Sequence, residues 1–513
     1  MTLSVLDILE GTTRKFPDKT ACIDMNESLT YTELVNNAKM FGYILNRELN
    51  VNKEPIVLFM DKSCKCLTAM IGTIYSGNIY VPMDIHTPLE RLNSIMASLK
   101  TDIIIASEKD KKLLDRIGYS GNVYVYENMM EENSDNGNRI EMAECLNKIR
   151  LNILDQDLMY ILFTSGSTGI PKGVAIKNCS VIDYIDAFVS EVGITENDIV
   201  GNQAPFYNDM SVRDIFMPMS VGGTICIIPS TYFMSPKKLL EYMDKNKVTY
   251  TCWAPTAYSL VSQFDALAKN YLNSLRKILY SGEVMPIPVL NYWRRYYPEA
   301  ELYQLYGPTE ITGVCLYYKI TDDYNANEKI PLGKPFKNTG VVILDENDEN
   351  ITQSQINVAG EICVYGTCLA AGYYNNPEKT KEAFVQNPFV TQYTSIIYRT
   401  GDLAKWDKDG NLIFVSRKDY QIKHNARRIE LGEIEAAMLS LDEIKTCCCV
   451  QNREKDKLVL YYAGELTGQE IMINMKNKLP QYMIPTEYHR EERLPILPNG
   501  KLNRKLMDKW ANE

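Results

Sequence analysis

The chain has 513 residues, of which 45% are apolar and 23% charged, and its formal net charge at pH 7 is −10. At a usual size of about 100–200 residues per domain, this length predicts several compact units of a globular protein. The negative charge disfavours nucleic acid as a partner, and the absence of an apolar run of ~18–20 residues predicts no membrane insertion.

The start of the chain and its cysteines indicate a cytoplasmic protein. Acidic residues at Asp7 and Glu10, without a basic start followed by an apolar run, are not typical of a secretory signal. The 13 cysteines are scattered at spacings that do not fit a zinc site, so we expect reduced and mostly buried thiols. Only 3 histidines are present, which disfavours a histidine-rich metal centre or a Ser-His-Asp hydrolase.

Short β-branched runs alternate with longer helical patterns through the first part of the chain. Residues 56–59 predict a strand, residues 66–76 a helix and residues 102–106 another strand. This alternation is typical of α/β layers with parallel sheet. Residues 127–138 are acidic and rich in asparagine, lack an apolar period and predict an exposed loop.

A strand predicted at residues 159–163 runs directly into a loop rich in Ser, Thr and Gly, at residues 164–173. Glycines let backbone N–H groups approach an anion, hydroxyls also donate, and Lys172 supplies positive charge. The loop is not a Walker A motif, because Pro171 stands where that motif needs glycine. A flexible linker is the alternative, but linkers seldom follow an apolar strand directly. We therefore predict phosphate binding by Thr164, Ser165, Gly166, Ser167, Thr168, Gly169 and Lys172.

The last part of the chain has its own pattern of elements. Residues 410–415 predict a strand after a turn, residues 430–439 an amphipathic helix and residues 446–450 another strand. From about residue 418 onward, a small α+β unit is expected that folds by itself.

Further motifs follow one another in an order that carries a family resemblance. They lie at residues 29–34, 81–84, 306–310, 360–362, 371–374, 398–402, 417–419, 428–435 and 497–501. With these motifs, nearly the whole chain resembles the adenylate-forming superfamily, which includes acyl-CoA synthetases, adenylation domains of nonribosomal peptide synthetases and D-alanine:carrier-protein ligases. The resemblance implies an α/β fold with a large N-terminal domain of layered α/β subdomains, residues 1–417. A small mobile α+β C-terminal domain, residues 418–513, would follow, with a hinge near Asp419.

The resemblance also implies that the large domain binds ATP. Tyr306 would lie against adenine, and Phe414 would lie on the other side of the base. Without the resemblance, Phe414 would be interpreted as a core residue of a strand. Asp402 would accept hydrogen bonds from both ribose hydroxyls, as a carboxylate can, and Arg417 belongs to the same nucleotide-binding set.

Three residues are assigned to catalysis by resemblance. Thr309 would contact the α-phosphate, and Glu310 would help hold Mg²⁺, a hard cation suited to carboxylate and phosphate oxygens. Lys501 lies in a tail that alone would be a solvated basic end. In the family, such an ammonium offsets the charge that accumulates as a carboxylate attacks the α-phosphorus, and losing it costs about 10²–10³ in rate.

Asp209 resembles the aspartate with which amino-acid-activating members pair the substrate ammonium. A buried carboxylate needs such a partner, whereas relatives that activate fatty or aryl acids have no ammonium to offer. The alternative is an exposed loop aspartate. Asn208 departs from the phenylalanine usual before this position, which leaves the hold on the substrate carboxylate open.

The same motifs place a set of residues around the substrate side chain. They are Met210, Arg213, Cys252, Leu279, Ser281, Leu305, Gly313 and Val314. Bulky members narrow the pocket, so D-alanine, other small amino acids and an acidic amino acid stay open, in that order. D-Alanine ligases usually have cysteine where Ser281 stands. Arg213 would either meet an acidic side chain or point outward.

The sequence ends soon after Lys501, so we expect no attached carrier domain. The acceptor would be the phosphopantetheine thiol of a separate carrier protein, reached when the C-terminal unit turns on Asp419. Arg427 and Arg428 would lie near the face that meets an acidic carrier. Ala426 replaces a glycine usual in the loop, which would slow transfer or be tolerated.

Two alternatives to an amino-acid ligase remain from the sequence. One is an acyl-CoA synthetase that activates an acid without an ammonium group. The other is a degenerate member that binds nucleotide or a partner without turnover, which the retention of Lys172, Glu310, Asp402 and Lys501 disfavours.

Overall fold

The computed structural model describes residues 2–132, 139–166, 170–325, 328–418, 421–424, 427–496 and 502–513. The helices are α1 (Val5–Lys15), α2 (Tyr31–Leu49), α3 (Cys64–Tyr75), α4 (Leu89–Leu99), α5 (Glu108–Ile117), α6 (Tyr126–Glu132), α7 (Arg139–Arg150), α8 (Asn178–Val192), α9 (Met210–Val221), α10 (Pro236–Lys245), α11 (Pro255–Gln263), α12 (Ile287–Tyr296), α13 (Pro377–Ala383), α14 (Leu431–Leu439), α15 (Gly468–Met475) and α16 (Arg504–Asn512).

The strands follow the same chain order. They are β1 (Thr20–Ile23), β2 (Ser28–Thr30), β3 (Pro55–Phe59), β4 (Ile79–Pro82), β5 (Ile104–Ala106), β6 (Val123–Val125), β7 (Leu158–Thr164), β8 (Lys172–Lys177), β9 (Ile199–Asn202), β10 (Thr224–Ile227), β11 (Tyr250–Trp253), β12 (Lys277–Tyr280), β13 (Glu301–Tyr306), β14 (Leu316–Lys319), β15 (Lys334–Pro335), β16 (Thr339–Leu344), β17 (Ala359–Gly366), β18 (Gly372–Tyr373), β19 (Phe384–Gln386), β20 (Ile396–Trp406), β21 (Leu412–Arg417), β22 (Gln421–His424), β23 (Arg427–Glu430), β24 (Ile444–Asn452), β25 (Lys457–Gly464) and β26 (Glu487–Arg490).

Two large sheets form most of the structure. One has the order β15-β14-β13-β12-β11-β9-β10-β1-β2, with a parallel centre, and the other has the order β18-β8-β7-β4-β3-β5-β6. A single core cluster joins side chains of both sheets with those of α1, α2, α3, α8 and α9, which therefore pack between the sheets. Separate clusters cover the outer faces. This layering confirms the predicted α/β fold of the large domain.

A third, antiparallel sheet has the order β16-β17-β20-β19, with β21 beside β20. After it come the hairpin β22–β23 and the three-stranded sheet β24-β25-β26. One core cluster joins β24 and β25 to α14 and α15, and another joins their opposite faces to α16. The predicted small α+β unit is thus present, while its boundary at residue 418 and its hinge at Asp419 stay predictions.

The predicted elements are found close to their expected places, with one exception. The expected loop at residues 127–138 is wrong for its first part, which belongs to α6. Tyr126 and Met129 stand one helical turn apart and are both buried, with Tyr126 against the ring of Phe41. Residues 133–138 lie outside the described part of the chain.

The prediction of free and mostly buried thiols is confirmed. All 13 cysteines are free, and most are buried. Within the described ranges, no helix combines the length and apolar character needed to cross a membrane.

Helices α2 and α3 show how local sequence and packing agree. The Thr30 side chain accepts a hydrogen bond from the Glu33 N–H, and the Glu33 carboxylate accepts one from the Thr30 N–H. This reciprocal pair is a capping box at the start of α2. Where the helices cross, Gly42 faces the backbone of Gly72. A Cβ atom on Gly42 would lie 2.7 Å from the Gly72 carbonyl oxygen, so glycine is needed for this close approach.

The crossing of α2 and α3 predicts a matched pair of stability effects. We expect Gly42→Ala to lower the free energy of unfolding by about 1–3 kcal/mol, because the methyl group must displace packed backbone. Gly11 of α1 is the control, since a Cβ atom there would meet only the Arg14 side chain, at 3.9 Å. Gly11→Ala should be neutral or stabilising by up to about 1 kcal/mol. Urea unfolding followed by circular dichroism measures both, and equal effects would contradict the packing argument.

Candidate active site

A cleft opens at the carboxyl ends of the parallel strands β12 and β13, the edge at which α/β sheets bind ligands. Ser281 directly follows β12, and Gly307 directly follows β13. Predicted site residues that line the cleft are Asp209, Met210, Arg213, Ser281, Thr309, Gly313, Val314, Asp402 and Arg417. The hairpin β22–β23 closes one side of this cleft, so residues far apart in sequence meet here.

Asp209 stands at the start of α9, with its carboxylate on the cleft. The Thr309 hydroxyl donates to Asp209 Oδ2 over 2.7 Å. Asn208 Oδ1 accepts from the Met210 N–H over 2.9 Å, which fixes the turn that presents Asp209. Burial raises the pKa of Asp209, and the Thr309 hydrogen bond opposes that rise. The site thus holds a carboxylate that a cationic ligand group would stabilise.

Glu310 directly follows Thr309 in the sequence and is fully buried. The Tyr373 hydroxyl donates to Oε1 over 2.8 Å, and Arg428 Nη1 donates to Oε2 over 2.7 Å. Burial alone would raise the pKa of Glu310, but Arg428 and Lys172 together hold it at about 2. Glu310 is therefore an ionised carboxylate at neutral pH, paired with a cation from the C-terminal hairpin.

Asp402 connects the cleft to the third sheet, since it lies on β20. Arg417 Nη1 donates to Asp402 Oδ1 over 2.7 Å, and the Tyr306 hydroxyl donates to Oδ2. Each carboxylate oxygen has room for a second hydrogen bond, so these contacts are compatible with the predicted ribose contact.

The two residues predicted to contact adenine, Tyr306 and Phe414, lie in different positions relative to the cleft. Tyr306 belongs to a core cluster beneath the cleft, and its ring is mostly buried. Phe414 packs partly against the same cluster and does not line the cleft. The roles of Tyr306 and Phe414 at the nucleotide stay predictions.

The start of the predicted phosphate loop contacts the C-terminal unit. Ser165 Oγ donates to the Arg428 carbonyl oxygen over 2.8 Å and accepts from the Glu430 N–H over 3.1 Å. The Gly166 N–H donates to Glu433 Oε2 over 3.2 Å. A Cβ atom on Gly166 would lie 2.0 Å from the Ile170 carbonyl oxygen, so only glycine fits. A backbone N–H of this loop thus binds a carboxylate, the kind of anion contact that the sequence predicts.

Lys172, at the other end of the loop, is turned toward the same region. Its Nζ lies 5.2 Å from the centroid of the Tyr373 ring and 3.6 Å from Glu430 Oε1. Thr164 Oγ1 is buried without a hydrogen-bond partner in the described structure. Lys172 is thus close enough to Glu310 to lower the pKa of that carboxyl, and Thr164 keeps a hydroxyl without a partner among the described residues.

The predicted side-chain pocket divides into a lining and a layer behind it. Cys252, Leu279 and Leu305 are buried in the main core behind the lining. Arg213 does not point outward, which removes one of its two alternatives. It is 1% exposed, with Nε donating to Asp214 Oδ1 over 3.3 Å.

Several predicted residues lie outside the described part of the chain: Ser167, Thr168, Gly169, Asp419, Ala426 and Lys501. The chain neighbour of Lys501, Leu502, pairs with Ile496 and packs on the α16 side of the C-terminal sheet. Ile422 and Ile429 of the hairpin pack on the opposite side, with α14.

The structure adds site residues that the sequence did not indicate. Gln421, Ile422 and Lys423 line the cleft from β22. Arg428, expected near the face for a carrier, instead points inward to Glu310, whereas Arg427 bonds the Tyr207 hydroxyl over 2.9 Å. Nothing in the local pattern of the hairpin distinguishes inward from outward arginines, because alternation along a two-stranded ribbon needs a known partner surface.

The sequence of this chain is similar to those of known proteins. Residues 9–374 match the family described as AMP-binding enzyme. Tyrocidine synthase 1 of Brevibacillus parabrevis is 30% identical over 519 residues, covering 99% of this chain and 45% of that protein. Zwittermicin A synthase ZmaJ of Bacillus cereus is 29% identical over 529 residues, covering 99% of this chain and 95% of that protein. The chain spans less than half the length of several curated relatives that it matches.

Solved structures share the fold over almost the full length. The Vibrio cholerae adenylation domain AlmE, in complex with glycyl-adenosine-5'-phosphate, aligns with a TM-score of 0.84 at 20% identity, covering 99% of this chain and 98% of that one. An artificially fused adenylation-PCP di-domain of Klebsiella oxytoca aligns with a TM-score of 0.80 at 20% identity, covering 96% and 94%. Since the family match spans more than half of its length, this chain belongs to the AMP-binding enzymes of the adenylate-forming superfamily.

Proposed function

We propose that this chain is an amino-acid adenylating ligase. It joins an amino acid to AMP with release of pyrophosphate, and then passes the aminoacyl group to the phosphopantetheine thiol of a separate carrier protein. The observation that carries this proposal is Asp209, whose carboxylate faces the cleft with one neutral hydrogen-bond donor, Thr309, among the described residues. A substrate ammonium is the natural partner for such an anion.

The first half-reaction is a displacement at phosphorus. A carboxylate oxygen of the amino acid forms a bond to the α-phosphorus of ATP, and the bond from that phosphorus to the pyrophosphate oxygen breaks. The chain would supply Thr309 at the α-phosphate and the Lys501 ammonium against the accumulating negative charge. Asp402 would hold the ribose, and the loop around Gly166 would hold the departing phosphates.

Glu310 fits the role of a magnesium ligand. It is ionised, offers hard oxygen atoms and lies beside the phosphate loop. Arg428 binds Oε2 in the present arrangement, so Glu310 would take the metal once the hairpin has moved away. Magnesium, when bound, would neutralise phosphate charge.

Contacts of the C-terminal unit suggest that the present arrangement serves the second half-reaction. Glu433 binds the Gly166 N–H that we assign to a phosphate, and Arg428 binds the carboxylate that we assign to magnesium. Neither contact is compatible with ATP and metal at the same positions. Lys501 would approach from the other face of the C-terminal unit, where Leu502 packs, after a rotation near Asp419.

The amino acid itself depends on the pocket. Met210 and Val314 line it and favour a small side chain such as that of D-alanine. Arg213, buried at the same pocket, favours an acidic side chain. An acyl-CoA synthetase has less support, because its substrate would leave Asp209 without a partner.

The proposal predicts amino-acid-dependent exchange of pyrophosphate into ATP. In a panel of D- and L-amino acids, β-alanine, fatty acids and aryl acids, we expect exchange with an amino acid only. Asp209→Asn should lower kcat/KM by about 10²-fold, because the ammonium loses its charged partner. Asp409→Asn, at an exposed aspartate of the large domain, is the matched control. Exchange with fatty or aryl acids alone would replace the proposal by an acyl-CoA synthetase.

The present position of the C-terminal unit and the rotated position proposed for adenylation predict opposite effects of two substitutions. Lys501→Ala should lower pyrophosphate exchange by about 10²–10³ and leave transfer from a supplied aminoacyl-adenylate to the carrier largely intact. Arg428→Met should lower that transfer by at least about 10-fold and leave exchange unchanged or raised, because it weakens only the arrangement in which Arg428 meets Glu310. Arg490→Met, at an exposed position of β26, is the control. Parallel losses in both assays for either variant would refute the assignment.

The Glu310–Arg428 pair also predicts a pH dependence. Because the pKa of Glu310 is lowered from 4.5 to about 2, its ionisation stabilises the fold above pH 4.5, and this stabilisation is lost as the pH falls toward 2. The difference in free energy of unfolding between the native chain and Glu310→Gln should therefore be constant above about pH 5 and narrow below it, by about 2 kcal/mol at pH 3. Urea titrations from pH 7 to 3 measure this. Glu349→Gln, at an exposed glutamate, should give a nearly flat difference.

A further inference from the structure

Arg213 is a buried cation on the wall of the cleft. It lies in the first turn of α9, four residues after Asp209, so the two side chains lie on the same side of the helix. It is 1% exposed and lines the same cleft as Ser281 and Met210. An arginine buried to this degree needs acceptors for its N–H groups, because burying unpaired charge is strongly unfavourable.

The acceptors available to Arg213 do not use all of its donors. A guanidinium has five N–H groups. Nε donates to Asp214 Oδ1 and Nη2 donates to the Cys252 carbonyl oxygen, both over 3.3 Å. Among the residues that the structure describes, no further hydrogen bond of Arg213 is found, which leaves three N–H groups for a ligand in the cleft.

Ser281 provides a second, independent observation. Its side chain is 5% exposed, and Oγ has no hydrogen-bond partner in the described structure. It directly follows β12 and lines the same cleft as Arg213. A buried hydroxyl without a partner and a buried guanidinium with three N–H groups that no described residue accepts therefore share one wall, which is typical of a site for an acceptor-rich group.

The charges around Arg213 indicate which acceptor fits. Asp214 is already engaged, since its Oδ2 accepts from Asn202 Nδ2 over 2.9 Å. Behind it, Lys62 Nζ donates to the Gln203 carbonyl oxygen over 2.8 Å and to Asn202 Oδ1 over 3.3 Å. Asp61 and Asp214 both lie near Lys62, and Asp214 shares its two oxygens between Arg213 and Asn202, so Asp214 does not use the remaining donors of Arg213. A carboxylate also matches the fork of a guanidinium with two parallel hydrogen bonds.

We infer that the amino acid activated here carries a side-chain carboxylate, of the aspartate or glutamate class, which Arg213 and Ser281 bind. This inference rests on the proposed function. Asp209 receives the ammonium group, one helical turn from Arg213. Gly313 also lines this cleft, and a Cβ atom on it would lie 3.3 Å from the Tyr184 hydroxyl, so a side chain at this position would be crowded. This inference reverses the order of substrates that the sequence favours.

Pyrophosphate exchange with the purified chain tests the inference. The probes are both enantiomers of aspartate, glutamate, asparagine, glutamine, alanine and valine. We expect kcat/KM for an acidic amino acid to exceed that for its amide and for alanine by at least 10-fold. An uncharged amino acid as good as or better than the acidic ones overturns the inference and leaves the proposed function standing. No exchange with any amino acid defeats the proposed function, and the inference with it.

Variants at Arg213 and Ser281 test whether these two side chains cause the preference for an acidic amino acid. Arg213→Met with Asp214→Asn removes both charges of the buried pair and keeps their volume. It should lower kcat/KM for the acidic substrate by about 10²-fold, chiefly through KM, while alanine loses little. Ser281→Ala should lower it several-fold, and it remains informative if the double variant does not fold. Arg276→Met, at a partly exposed arginine directly before β12, is the control. A folded double variant with an unchanged ratio of acidic substrate to alanine overturns the inference.

Discussion

The buried carboxylate of Glu310 is the constraint on which the rest of the cleft depends. It is fully enclosed, and an unpaired anion in such a place would be destabilising by several kcal/mol. Three groups stabilise it: Lys172 from β8, Tyr373 from β18 and Arg428 from the hairpin β22–β23. Glu310 follows β13, so this one anion connects both large sheets to the C-terminal unit. The position of the cleft follows from that connection.

Protein charges take the positions that the proposed reaction gives to substrates. Glu433 binds the Gly166 N–H where a phosphate would lie, and Arg428 binds Glu310 where a metal would lie. Each buried group therefore has a partner with the C-terminal unit in place and would have another with ATP bound. Groups that are paired in both states would keep the difference in free energy between the states small, and a carrier or nucleotide could then shift the balance. In the proposed function, this exchange of partners would let one cleft serve two half-reactions.

Sequence reasoning succeeded where the signal is local. The apolar run before the glycine-rich loop predicted β7, and β-branched runs predicted β3 and β24 within a few residues. It failed where distant charges meet. Glu310 and Arg428 are 118 residues apart, and Gly166 and Glu433 are 267 apart, so no spacing along the chain indicates either contact. The helix at α6 was missed for a related reason, since its burial depends on Phe41 of α2.

Arg213 illustrates why a pocket cannot be ranked by the sizes of its residues alone. Cations near the amino end of a helix oppose the helix dipole, so Arg213 in α9 is placed against that field as well as away from water. Asp214 offsets part of this penalty, but it also accepts from Asn202 and leaves donors of Arg213 facing the cleft. A chain that needed only a narrow apolar wall would be more stable with leucine or methionine there. An anion that arrives with the substrate would explain the buried guanidinium, and α9 would then recognise the substrate at both ends, with Asp209 for its ammonium and Arg213 for its side chain.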